Sequence, residues 1–403
     1  MKSGMRREAI IIGGGVAGPV LAMALQEAGV RATIFEAHRG RAETVGSFLN
    51  TASNGLAGLR AIGAADAVVA AGFPTPRMVM WSGSGKRLGQ VANGGELDDG
   101  TVSVTIKRGL LHAALRDEAA RRGIAICDGK RFVDADVGAD GCVLARFEDG
   151  SETRGDLLIG ADGLHSRVRS VIDPQAPAPR YTGLLSVGGT VAGTSFEPTA
   201  GAYHMVFGKR GFFGYSVRAN RELYWFANIQ SDAAPTRESL ACVSPDAWKL
   251  RLVELFAEDE GPAVAMIRAT GGDVAAYPVF DMPSVPTWHR AAMVLVGDAA
   301  HATSPSAGQG ASLAIEDALV LAKCVRDVPT LSQAFARYEA LRRERVERVV
   351  RYSARIGNAK VAGPVARWFR DLMMPFALKH FANNESHAWL YGYDVGFDKA
   401  VSP

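Results

Sequence analysis

With 403 residues, 48% of them apolar and 22% charged, the chain can bury a large core, has room for two domains, and has the composition of a soluble globular protein. A formal charge of +3 is too small for this length to suggest nucleic acid or an anionic membrane as a partner. Cys127, Cys142, Cys242 and Cys324 form neither a CxxC pair nor a zinc spacing, which predicts reduced thiols in a cytoplasm and no metal site. No apolar run reaches membrane-spanning length, and glycines break the apolar start at once, unlike a signal peptide.

The opening stretch, Ala9 to Glu36, reads strand, glycine turn, helix, strand. Its GxGxxG places Gly13 where a tight turn is needed, Gly15 where backbone must approach a pyrophosphate, and Gly18 where the helix packs close on its strand. Val16 and Ala17 lie between them, at a helix start whose free N–H groups favour phosphate. Glu36 follows Gly18 by eighteen positions, near where an acid takes ribose hydroxyls. Helical spacing is predicted over Leu49–Ile62, then a Pro/Gly/Ser-rich excursion over 74–101 with a short strand at Met78–Trp81. A helix opens at Lys107 and Arg108 and closes at Gly123. Strands are expected at Ala125–Cys127, Phe132–Val137 and Cys142–Phe147, and a buried one at Leu157–Ile159 runs into Gly160, Ala161, Asp162 and Gly163.

Residues 174–290 change character. Aromatic and β-branched runs at Leu184–Val191, Tyr203–Phe207, Phe212–Val217 and Leu223–Ile229 predict an antiparallel sheet, interrupted by a helix at Pro245–Phe256. By alternation Phe213 and Tyr215 share one face of their strand, and Trp225 and Ala227 one face of theirs; these four are the predicted substrate wall, the alternative being plain core. A buried strand (MVLVGD) ends at Asp298, and a loop through Pro305 to Gly308, Gln309 and Gly310 leads into a helix over Ala311–Val325. A second helix, Ser332–Ser353, is dense in Arg and Glu and is predicted to be a solvated face. The apolar 361–381 tail is predicted to pack on the body or on a partner rather than lie in a membrane. His301, beside alanines, is expected to be a packed and satisfied side chain.

Three motifs in this order, Gly13–Gly18, Gly160–Arg169 and Gly297–His301 continuing to Gly310, resemble the class A flavin-dependent monooxygenases, the family of para-hydroxybenzoate hydroxylase, salicylate hydroxylase and the tetracycline-inactivating oxygenases. The resemblance spans roughly residues 8–330, with Ser312 where many relatives have Asn. It implies an α/β (α+β overall) fold. A Rossmann-like FAD domain (1–73, 102–173, 291–360) would carry an inserted, mostly antiparallel substrate domain (74–101, 174–290) and a C-terminal helical tail (361–403). It implies FAD held by the 13–18 turn, Glu36, Arg108, Asp162, Asp298, Pro305, Gly308, Gly310 and Ala311. NADPH or NADH would be the electron donor, approaching past Asp162, His165, Ser166 and Arg167 because the chain has only one GxGxxG. It further implies that oxygen adds to reduced flavin and passes from the hydroperoxide to an aromatic or polycyclic substrate, in a monomer or homodimer. The rivals are a flavin oxidoreductase that transfers no oxygen and a silent flavoprotein acting through a partner; no WxWxIP segment occurs, which argues against a halogenase.

Overall fold

The computed structural model describes residues 7–40, 48–97, 99–272, 274–360, 363–381 and 384–401. Its first sheet has six strands in the order His289–Arg290, Met293–Leu295, Leu157–Gly160, Glu8–Ile12, Arg31–Glu36, Ala125–Asp128. All pairs are parallel except the short 289–295 hairpin. The central strands carry unbroken apolar runs because both faces are covered, one by helices and the other largely by an antiparallel ribbon; Ile11, Leu157, Leu158, Ile159 and Val294 are wholly buried. The helices Ala17–Glu27 and Gly310–Asp327 pack against each other beside this sheet. A three-stranded antiparallel ribbon, 132–155, lies across the face opposite these helices, with Phe147 stacked on Phe35 at 4.8 Å and Gly155 packed against Ile10.

The second sheet has seven strands: Val274–Asp281, Arg180–Val191, Leu223–Gln230, Phe212–Val217, Ala202–Phe207, Arg77–Ser82, Arg87–Ala92. It is antiparallel except where Arg77–Ser82 runs parallel to Ala202–Phe207. The 74–101 excursion thus supplies two strands to a sheet built mainly from residues more than a hundred positions later. One face is covered by the helices Pro245–Phe256 and Ala263–Ala269, with Trp248, Leu252, Phe256, Met266 and Ile267 packed on Phe213, Trp225 and Ala227. The opposite face meets a small third sheet, Phe48–Thr51, Val104–Lys107 and Phe73–Pro74, where Thr105 Oγ1 donates to Tyr203 Oη at 2.7 Å.

Several predicted elements change at their ends. The Leu49–Ile62 stretch divides into a strand, Phe48–Thr51, and a helix, Ser53–Ala61, because the strand pairs with Val104–Lys107 and tertiary pairing overrides helical spacing. The charged helix extends to Leu331–Lys360. The tail helix is Pro364–Phe381, residues 361 and 362 lying outside the described set. One side packs through Met374 on Leu88, Phe207 and Phe212. Along the other, Val365, Trp368, Phe369, Leu372, Met373 and Phe376 are each more than half exposed, so the expected packing covers only one side of this helix. Among the described residues no helix is long and apolar enough to cross a membrane.

Candidate functional site

The glycine turn is built by close approach. Gly13 has φ +108°, its N–H donates to Phe35 O at 2.8 Å, and a Cβ there would collide with the Ala161 carbonyl. A Cβ on Gly18 would strike the Gly13 carbonyl, whereas one on Gly15 would meet nothing within 4 Å. Gly15 therefore faces open space at the start of the helix that Val16 caps and Ala17 and Gly18 begin. The Glu36 carboxylate sits beside the turn. Its Oε2 accepts the Gly14 N–H at 2.7 Å, and its Oε1 accepts the His38 N–H at 2.9 Å. Burial pushes this carboxyl up, but the bonds from His38 and Gly14 hold it below its ordinary range.

Arg108, His112 and Arg116 recur every four residues on the helix Arg108–Arg121 and form one stripe beside the turn. A Cβ on Gly14 would lie 2.7 Å from an Arg116 terminal nitrogen, and Arg116 is itself held by Asp128 at 2.8 Å. Burial, then Arg108, depress the His112 imidazole to about 4. Arg116 and His112 were missed in the sequence; their signal was the four-residue spacing from Arg108.

The Asp-Gly segment is used differently from its expected role. Asp162 Oδ1 accepts the Ser166 hydroxyl at 2.5 Å, and its Oδ2 accepts the Arg167 and Val168 N–H groups at 2.8 and 3.1 Å. Its side chain thus accepts the first two N–H groups of the helix Arg167–Ile172, so most of its bonding capacity is spent within the segment. Arg169 ties this segment to the third motif, donating to Ala299 O at 3.0 Å and Leu164 O at 2.8 Å. His165 and Arg167 are exposed.

In the third motif the strand stops at Leu295, and Gly297 turns the chain with φ +60°. Asp298 follows. Its carboxylate has no hydrogen-bond partner among the described residues, and burial raises its pKa, offset in part by Arg108 and then His301. Pro305–Ala307 forms a single 3-10 turn, Gly308 is left-handed at φ +63°, and Gly310 opens an eighteen-residue helix. Ala311 is half-buried in the first turn. Gln309 is fully buried; its Oε1 accepts from Asn54 at 3.0 Å, while its Nε2 has no partner. Ser312 Oγ accepts the Ala52 N–H at 3.2 Å, and a Cβ on facing Gly55 would press within 2.6 Å of that oxygen.

Behind this loop lies a buried ionic cluster. Glu316 and Asp317 are both fully buried on the Gly310–Asp327 helix. Arg342 pairs with Glu316 and with Asp317, each at 2.7 Å, and Arg345 pairs with Glu316 at 2.7 Å. His301 bonds Asp317, and the Gly297 N–H donates to Asp317 at 2.8 Å, so the cluster fixes the turn that carries Asp298. His301 is packed against Trp288 at 5.6 Å. Burial opposes ionisation of both acids, but His301 and Arg342 pull Asp317 down, and Arg342 and Arg345 pull Glu316 down. The charged helix is therefore not simply a solvated face: its Arg342 is wholly buried because the neighbouring helix presents two acids.

The predicted wall of Phe213, Tyr215, Trp225 and Ala227 requires correction. Phe213, Trp225 and Ala227 have no exposed surface beneath the two covering helices, and Tyr215 bonds His204 at 2.9 Å on that same side. The face toward the small three-stranded sheet carries Tyr203, Tyr224 and Phe226 instead. Phe48 reaches these three at ring distances of 6.1, 5.3 and 5.9 Å. Asn50, on the same side of its strand as Phe48, lies 3.8 Å from a Cβ built on Gly308. One wall thus runs from the Gly308 turn through Asn50 and Phe48 to the sheet. The end of the Leu331–Lys360 helix makes a second: Ser353 bonds Ser304 O at 2.7 Å, and a Cβ on Gly357 would lie 3.1 Å from Ser306 Oγ.

These features suit a flavin nucleotide. They offer an unpartnered carboxylate at a strand end, open space above Gly15, a buried amide nitrogen without a partner beside a helix start, and two helix N-termini. A dinucleotide-binding oxidoreductase is the class that this arrangement defines. Comparison narrows it: residues 6–353 match the FAD-binding domain family, described as "FAD binding domain". The chain is 31% identical over 380 residues to the aurachin C monooxygenase/isomerase of Stigmatella aurantiaca, covering 93% of this chain and 94% of that one. It is 27% identical to the FAD-dependent urate hydroxylase of Klebsiella pneumoniae, covering 91% and 94%. Klebsiella pneumoniae HpxO complexed with FAD and uric acid superposes with a TM-score of 0.85 at 24% identity, over 96% of this chain and 97% of that one. The chain belongs to the FAD-binding domain family, and it is an FAD-dependent monooxygenase that draws electrons from NAD(P)H.

Proposed function

We propose that this monooxygenase hydroxylates an aromatic or polycyclic small molecule bound between the 304–310 loop and the inner face of the seven-stranded sheet. The observation that carries this reading is the aromatic group Phe48, Tyr203, Tyr224 and Phe226, which joins the small three-stranded sheet to the inner face of the seven-stranded one. Flat rings stack on such a surface, and the same surface excludes water. Relatives named for urate and aurachin C support a ring-bearing substrate.

FAD, when bound, supplies the transfer of electrons from NAD(P)H to molecular oxygen. The chain's residues hold it and shape its surroundings. The N–H groups of the 13–18 turn meet the pyrophosphate, with Arg108 and Arg116 adding positive charge on either side of a neutral His112. Glu36 takes the adenosine ribose and Asp298 the ribityl hydroxyls. Pro305, Gly308, Gly310 and Ala311 present the start of the 310–327 helix to the pyrimidine edge, where its positive end favours negative charge. Asp162 acts through its helix cap, holding the segment in place. In this reading residues 1–73, 102–173 and 291–360 are the flavin-binding part, with the seven-stranded sheet as its cover.

The test is turnover under ¹⁸O₂ with NADPH and a panel of phenolic and polycyclic compounds. A compound that accelerates NADPH use should leave with one labelled oxygen. An altered product without label would overturn oxygen transfer in favour of a flavin oxidoreductase.

A further inference from the structure

The last turn of the Leu331–Lys360 helix buries an ammonium group. Lys360 is 7% exposed. Its Nζ donates to Asn228 Oδ1 at 3.3 Å and stands 4.6 Å from the centre of the Phe212 ring and 5.7 Å from that of Phe226. No carboxylate among the described residues pairs with it. Two aromatic faces and one amide oxygen do not replace the hydration of an ammonium ion, so a cation here is under-compensated. Its position is not incidental. Phe226 is the ring that also meets Phe48, and the same helix touches the 304–307 loop one turn earlier through Gly357. A cleft of about 500 Å³, lined by Leu184, Gln230, Asp232, Gly357 and Asn358 among others but not by Lys360 itself, opens on the outer side of that turn.

We propose that Lys360 is a specificity residue which receives an anionic oxygen, carboxylate or ring oxyanion, of the aromatic substrate. The substrate supplies the negative charge that the protein withholds. Its ring lies along Phe48, Tyr224 and Phe226, and its anionic end reaches Nζ. Neutral ring compounds lack that partner and bind more weakly. The inference rests on the aromatic-substrate reading, but binding tests it apart from turnover.

The test uses the full-length, FAD-loaded protein and two probes of one shape, hydroxynaphthoate and its neutral amide, titrated by the change in flavin absorbance. The wild type should prefer the naphthoate by about tenfold or more at neutral pH, the size of one charge-assisted hydrogen bond. Lys360→Met should remove the preference while leaving amide binding intact, and Lys360→Arg should restore part of it. Phe212, Phe226 and Asn228 face Nζ and do not ionise. Burial alone lowers Lys360 to about 8, with no charged neighbour contributing. The preference should therefore fade as pH rises through that value, as the ammonium loses its charge. Undiminished naphthoate binding by Lys360→Met overturns the proposal. So does a wild type that fails to bind naphthoate at millimolar concentration, and so does a variant whose melting temperature shifts while its preference stays. If the preference behaves as expected but a compound that is turned over leaves altered and without label under ¹⁸O₂, the oxygenase reading fails and the anion anchor stands.

Discussion

Two buried cations on one helix show opposite solutions to the same problem. Arg342 and Lys360 are eighteen residues apart on the Leu331–Lys360 helix, which is five turns, so they project from the same side. Arg342, wholly buried, meets Glu316 and Asp317, and these acids raise its pKa against the pull of burial. The Tyr393 ring covers it at 5.1 Å, and Arg345 beside it donates to Trp389 O and Leu390 O at 2.6 and 3.0 Å. Lys360 meets only rings and an amide, and burial lowers its pKa. A buried charge with matched partners holds structure together, here the turn carrying Asp298 and the C-terminal segment. A buried charge without them is a cost that the fold carries for something not belonging to the chain.

The largest expected effect breaks the matched side. Arg342→Met or Asp317→Ala leaves an uncompensated buried charge and should cost about 3–5 kcal/mol in urea unfolding. The acids set its pH dependence. Glu316 and Asp317 have lowered folded pKa values, so their contribution is present above the ordinary carboxylate range and is lost as pH falls through and below about 4. A wild-type stability curve flat across acid pH would contradict the cluster's role.

Flavin retention should respond next. Gly15→Val places a side chain in the open space above the turn, and Glu36→Ala removes a charged acceptor, a loss of roughly 1.5–3 kcal/mol in FAD affinity. Asp298→Ala should lower bound flavin as well. Full flavin content in all three purified variants would remove the cofactor assignment.

Replacing the unmatched cation should act in the opposite direction to breaking the matched one. Lys360→Met should be more stable than the wild type at neutral pH, by up to roughly 3 kcal/mol for a pKa lowered from 10.5 to about 8. For a group with a depressed folded pKa, stability is fully present above the unfolded value and lost as pH falls. Wild-type stability should therefore rise between about 8 and 10.5, and the methionine variant should lack that rise. A less stable variant would place Lys360 with Arg342 as a structural charge.

A shift of the same size as that of Lys360, acting in the acid range, belongs to His112. Its imidazole is depressed from 6.5 to about 4, so the folded state keeps it neutral while the unfolded state takes a proton. Stability should fall as pH drops from about 6.5 toward 4, and His112→Gln should flatten that limb of a thermal-melt profile.

The amino-acid sequence determined the elements whose physics is local. A glycine turn between strand and helix needs Gly13 and Gly18 because a Cβ at either would strike backbone, and Asp298 follows directly from a buried strand that ends in a left-handed glycine. Both are legible within a dozen residues. Sheet faces were legible only as alternation. Period two separates Phe213 and Trp225 from Phe212 and Phe226, but which set meets the flavin side depends on where the helices Pro245–Phe256 and Ala263–Ala269 pack. The Leu331–Lys360 helix carried the same ambiguity. Its dense Arg and Glu fit a solvated face, yet Arg342 is buried against acids contributed by another helix, and Lys360 against rings contributed by a sheet more than 130 residues away. Charge type is written in the chain; whether a charge meets water, an acid or an aromatic face is decided by long-range packing alone.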